Sequence, residues 1–169
     1  MRNGNHRSKT IVWHDICIIE ILVKFKILVM QIFLIGNVLE TAKCLDKKRF
    51  NKQIIEVKQI ISAIEGETKS WRNHPVTIMY ENDLNFLKGY KNCLIAYKEK
   101  RFSDAIFFSE WCERTKPDFL KNAVWYFENM KNRLYTKNKG HYLEHFPYAV
   151  ESYSNFYYVN GEWKEYKQK

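Results

Sequence analysis

Arg49, Lys52, Gln53 and Glu56 stand 3, 1 and 3 residues apart. On a helix, Arg49, Gln53 and Glu56 share one surface, a turn apart at each step. A carboxylate beside an arginine and a lysine stays ionised and is held in place. Such a glutamate serves as a general base or stabilises a developing cation. The plainer alternative is a solvated, salt-bridged helix face, which the residue types alone favour. A second group, Trp71-Arg72-Asn73-His74-Pro75, lies downstream. Arg72 and the free N–H groups of a helix start suit a phosphate, and His74 suits proton transfer near neutral pH. Its structural alternative has Trp71 in the core, Asn73 or His74 as helix cap, and Pro75 opening the helix. The sequence holds no Gly-rich phosphate loop, HExxH, GxSxG or carboxylate metal cluster, so neither a metal nor a cofactor is expected.

The elements that must position these residues follow from apolar spacing. Phe50, Ile54, Val57, Ile61 and Ile64 recur at 4, 3, 4 and 3 residues, which predicts a helix over 38–64 closed by Gly66. A loop over 67–74 follows. Pro75 opens a second helix running to about residue 100, with Tyr80, Leu84, Leu87 and Leu94 as its stripe. Gly89 inside that helix costs about 1 kcal/mol relative to alanine, which predicts close packing there. Ser103 caps a shorter helix through Trp111, and Pro117 opens another over 118–135. After Gly140 the chain is irregular and aromatic. Glycine (6) and proline (3) are scarce, against a sandwich or barrel of short strands. The expected fold is all-α: a compact bundle of about three to five helices with an irregular aromatic C-terminal tail.

Residues 11–36 are apolar but interrupted by Asp15, Glu20, Lys24 and Lys26, against both a membrane span and a signal peptide. Met30 stands where the character changes, just before a short apolar run closed by Gly36-Asn37. The expected organisation is an N-terminal extension, 1–29, and one helical domain, 30–169; the competing reading packs the extension on the core as an extra element. The net charge of +9 points to a polyanion, nucleic acid before a membrane surface. Cys17, Cys44, Cys93 and Cys112 have no CxxC or zinc spacing, and read as reduced thiols of an intracellular protein.

Residues 45–60, Leu-Asp-Lys-Lys-Arg-Phe-Asn-Lys-Gln-Ile-Ile-Glu-Val-Lys-Gln-Ile, followed by Trp71-Arg72-Asn73-His74-Pro75, resemble a pattern of small bacterial and viral proteins in the pyrimidine dimer DNA glycosylase (endonuclease V-like) superfamily. The resemblance runs from Met30 to Phe102, and loosely beyond. It implies an all-α, monomeric DNA glycosylase/AP lyase acting on double-stranded DNA in the cytoplasm or the nucleoid or nucleus, with no membrane partner. In that family the α-amine of the first residue attacks the sugar C1′ of a damaged nucleotide, a Schiff base forms, and β-elimination nicks the strand, with a helix-borne glutamate assisting. The resemblance assigns Glu56 as that glutamate, Met30 as the amine and Arg49 as its basic neighbour. DNA contacts fall on Lys48, Lys52, Gln53, Arg72, Asn73, His74, Trp163 and Tyr166. Ile32 and Ile55 replace basic residues of the family, and Gln31 after Met30 is too bulky for ready methionine removal. Met30 would then offer its own amine, or Lys48 or Lys52 would substitute. The alternatives are a non-catalytic nucleic-acid-binding protein with the same fold and a protein-interaction module.

Overall fold

The computed structural model describes residues 30–167. The chain divides into two compact units, Met1–Met30 and Gln31–Lys169. Of the first, only Met30 is described, and it is buried; the expected extension over 1–29 lies outside the described residues.

In the second unit an irregular segment after Met30 leads into α1 (Val38–Cys44), capped by Asn37, whose Oδ1 accepts the Glu40 N–H at 2.8 Å. The chain breaks at Leu45-Asp46 and restarts as α2 (Lys47–Ile64). The single helix expected over 38–64 is therefore two. Asp46 is the cause: its side chain accepts the Arg49 N–H at 2.9 Å, an N-cap bond that competes with continuing the helix through that position. Gly66 closes α2 in the left-handed region, with φ +80°.

The helix expected over 75–100 is also two, α3 (Pro75–Met79) and α4 (Leu84–Lys98), separated by a turn through Glu81-Asn82-Asp83, residues that favour turns. α5 (Phe102–Arg114) begins at Phe102 after Arg101, so Ser103 lies inside it and is not its cap. The close packing expected at Gly89 is found: a Cβ there would meet Trp111 Cδ1 at 2.8 Å and Cys112 Sγ at 2.9 Å on α5. The helix expected over 118–135 splits at Asn122-Ala123 into α6 (Asp118–Lys121) and α7 (Val124–Lys137). α8 (Lys139–His145) follows, capped by Asn138.

The tail is not irregular. β1 (Ser154–Val159) and β2 (Glu162–Lys167) form an antiparallel hairpin in which Val159 pairs with Glu162 and Ser154 with Lys167. Its turn residues, Asn160 and Gly161, both have positive φ, 56° and 83°, as a two-residue Asn-Gly hairpin requires. The described residues thus hold eight helices and one small sheet; the fold is mostly helical rather than all-α, and made of more, shorter helices than expected. Along β1, Asn155 and Tyr157 are buried, the two-residue period of a strand with one inward face. Among the described residues, no helix is long and apolar enough to cross a membrane. Cys44, Cys93 and Cys112 are buried free thiols; Cys17 lies outside the described residues.

Candidate functional site

The site is built around α2. Gln53, 1% exposed, turns its amide toward the segment before α1. Its Nε2 donates to the Gln31 carbonyl at 3.0 Å, and its Oε1 accepts the Phe33 N–H at 3.0 Å. The side-chain amide thus acts as a neighbouring strand would, satisfying two buried backbone groups. Other elements hold the same segment. Tyr90 on α4 donates to the Phe33 carbonyl at 2.7 Å, and Gln31 Nε2 reaches Met130 Sδ on α7 at 3.1 Å.

One turn along the same face stands Glu56, only 6% exposed. Its Oε1 lies 3.2 Å from Lys52 Nζ, and it accepts a hydrogen bond from the backbone N–H of Gln31. Burial pushes its carboxyl above the usual range; Lys52, Lys137 and the Gln31 N–H offset this only in part. A solvated, salt-bridged face does not describe Gln53 and Glu56, which are walled in. Raised basicity of this kind suits a general base.

Cations close the site from two sides. Arg49 Nη1 binds Asp46 Oδ2 at 2.5 Å and Nη2 donates to the Lys137 carbonyl at 2.8 Å, so Arg49 ties the start of α2 to the end of α7. Arg133 on α7 is 2% exposed; its Nη1 donates to the Ser154 carbonyl at 2.9 Å and to Asn155 Oδ1. Burial draws the Arg133 guanidinium down to about 10. The ammonium of Lys137 falls to about 8, first through burial and then through repulsion from Arg133, Arg49 and Lys52, with Glu56 acting against them.

The Trp71–Pro75 loop reaches this region through the hairpin. His74, not Asn73, caps α3, its Nδ1 accepting the Val76 N–H at 3.2 Å. Its ring meets Trp71 edge-on at 5.4 Å and Tyr157 of β1 at 6.0 Å. Trp71 sits in the left-handed region, with φ 68°. The Tyr157 hydroxyl, driven up to about 12 mainly by burial, interacts electrostatically with Arg133, Tyr166 and Glu56. Burial takes the His74 imidazole down to about 4, so it is neutral at pH 7 and spends one nitrogen as a cap; proton transfer near neutral pH is not what its surroundings favour.

The sequence-predicted residues thus separate. Glu56, Gln53, Lys52 and Arg49 come together on α2, beside the segment that follows Met30. Lys48, Arg72 and Asn73 are exposed. Trp163 packs among Phe119, Trp125, Tyr126 and Tyr158, with the Tyr126 centroid at 4.7 Å, and Tyr166 lies 5.3 Å from Tyr157. Arg133, Lys137 and Tyr157 escaped the sequence reading. The signal for the first two was the spacing of Tyr126, Met130, Arg133 and Lys137, one face of a helix. No group of three or more His, Cys, Asp or Glu side chains among the described residues is placed to hold a metal ion.

Residues 30–105 match the family model described as pyrimidine dimer DNA glycosylase. The resemblance read from the sequence is borne out over that span, which begins at Met30 and carries Glu56 and the Trp71–Pro75 loop. No curated protein matches the chain, and no solved structure does.

Proposed function

We propose that this protein is a DNA glycosylase/AP lyase of the DNA-repair type, acting on double-stranded DNA at pyrimidine dimers or abasic sites through an amine Schiff base. The observation that carries the proposal is the buried Glu56 carboxylate, hydrogen-bonded by the backbone N–H of Gln31, the residue next to Met30. In a chain beginning at Met30, the α-amine would directly precede Gln31 in sequence. An α-amine has a pKa of about 8, so far more of it is neutral at pH 7 than of an ordinary lysine. It attacks C1′, the base leaves, and the iminium makes the C2′ proton acidic. Glu56 removes that proton, and the C3′–O3′ bond breaks with phosphate as leaving group. The net charge of +9 favours a phosphate backbone, and a damaged, weakly stacked nucleotide costs least to extrude.

The test is nicking of a duplex carrying one abasic site or one thymine dimer, with borohydride to trap the imine. Nicking and a covalent adduct are expected, with nicking lost in Glu56→Gln. Salt-sensitive duplex binding with neither nicking nor adduct would instead favour the non-catalytic binding protein. No binding at low salt would leave the interaction module.

A further inference from the structure

α5 leaves an apolar face uncovered. Phe102, Ile106, Phe107 and Trp111 follow one another at spacings of 4, 1 and 4, one side of a helix, and each is 40% exposed or more. Among the described residues, no other helix exposes more than two large apolar side chains. Together the four show roughly 400 Å² of apolar surface, a size that on monomers often marks an interaction site.

The ridge is already held in shape. The Trp111 ring lies against the backbone of α4 at Gly89, where a Cβ would stand 2.8 Å from its Cδ1. Phe102 meets Tyr97 edge-on at 5.7 Å, and Phe107 meets Phe108 at 5.4 Å. Side chains fixed by their neighbours lose little rotamer freedom when a partner covers them, and buried aromatic anchors dominate interface energies.

Charge selects the partner. Along α5, Asp104, Glu110 and Glu113 outnumber Arg114, a poor match for a phosphate backbone or an anionic lipid surface. At the start of the helix, Glu99 and Asp104 share the guanidinium of Arg101. At its end, Arg114 is exposed and forms no ion pair with a described residue. An antiparallel copy of the same helix answers this pattern. With a two-fold axis between Ile106 and Phe107, Phe102 lies opposite Trp111, Ser103 opposite Glu110, and Arg114 comes toward the Glu99–Asp104 corner. A parallel copy would set Glu110 against Glu110 and Arg114 against Arg114, which is repulsive.

We propose that the Phe102–Trp111 face of α5 is the interface of a homodimer, two copies packing α5 antiparallel about a two-fold axis. The inference stands apart from the AP-lyase reading and departs from the monomer that the family resemblance implies. The four side chains supply about half of the ~800 Å² that a standard interface takes from each partner. With the polar rim around them, they suit a reversible dimer and not an obligate one.

The experiment is sedimentation of the full-length chain from low micromolar to submillimolar concentration, where a monomer–dimer equilibrium is expected. Phe107→Glu puts a carboxylate beside the axis and should weaken association at least about tenfold. Melts of the dilute proteins should coincide, because Phe107 is exposed. The register is read by cross-linking in a Cys17→Ser background, the thiols of Cys44, Cys93 and Cys112 being buried. Oxidised mixtures of Ser103→Cys and Glu110→Cys copies should link to each other in preference to themselves. A wild type that stays monomeric at every concentration, or a dimer undiminished by Phe107→Glu, would overturn the proposal. So would self-linking of Ser103→Cys in preference to the mixed pair. A monomeric wild type whose Phe107→Glu variant melts lower would assign the face to a segment of the same chain, and one whose variant loses duplex binding would assign it to nucleic acid.

Discussion

The amide of Gln53 stands in for a strand partner to the backbone at Gln31, donating to its carbonyl at 3.0 Å while accepting the Phe33 N–H at the same distance. This clamp sets where the chain after Met30 lies against α2, and hence where Glu56 meets it. Gln53→Leu keeps the volume but leaves one donor and one acceptor buried without partners. The cost should be about 2–3 kcal/mol, read by urea or thermal unfolding, and the Glu56-dependent activity should fall with it. A loss below about 0.5 kcal/mol would show that the clamp contributes little.

Glu56→Gln should separate activity from stability. Strand nicking should drop by about a hundredfold or more, the scale of a lost general base. Stability should move the other way. Folding raises the Glu56 pKa, because burial outweighs Lys52 and the other donors. The ionised carboxylate is therefore a liability above its unfolded value, one that fades as pH falls and the folded group protonates. The variant should melt higher than wild type at pH 7, and the gap should close in acid. A variant that melts lower at pH 7 would contradict this.

His74 predicts acid sensitivity. The unfolded imidazole takes a proton near 6.5, while the folded ring resists it down to about 4. Between those values the unfolded state binds more protons, so stability falls as pH drops through that window and is level above it. His74→Asn keeps an acceptor for the Val76 N–H but does not titrate. Denaturant melts at pH 7 and pH 4.5 should show a smaller acid loss in the variant, and an equal loss would refute the assignment.

Arg133 should act as the rivet of the hairpin. Arg133→Met removes the donor to the Ser154 carbonyl and Asn155 Oδ1 and exposes both acceptors to an apolar neighbour. A loss of about 1–3 kcal/mol is expected, with faster amide exchange in β1 and β2 than in α4. Unchanged exchange in the hairpin would mean that other contacts hold it.

Gly89→Ala should destabilise despite alanine's advantage in helices, which is about 1 kcal/mol. The new methyl would collide with Trp111 and Cys112, and overpacking costs about 1–3 kcal/mol. Thermal unfolding with a Tm at or above wild type would show that α5 yields easily.

Much of the first half of the unit was legible. The stripe through Phe50, Ile54, Val57 and Ile61 gave α2, Gly66 its end and Pro75 the start of α3, because periodicity and caps are local signals. The breaks at Asp46 and Asp83 were missed, since an apolar stripe carries across a short interruption without changing phase enough to notice. Glu56 was legible only as a type; its burial is a product of tertiary packing, which sequence spacing alone does not report. Arg133 looks like an ordinary surface cation until α7 is docked and buries it. The hairpin was hidden by aromatic density, although Asn160-Gly161 between two runs rich in aromatic residues was a usable turn signal.

Tyr157 lies on β1 and touches the ring of His74, while α7 and the hairpin follow the segment that matches the family model. Glu56 thus stands on a helix inside the matched segment, while Arg133, Lys137 and Tyr157 belong to elements beyond it. The 2.8 Å bond from Arg49 to the Lys137 carbonyl couples the two parts, so a change in α7 is also felt by the helix that carries Glu56.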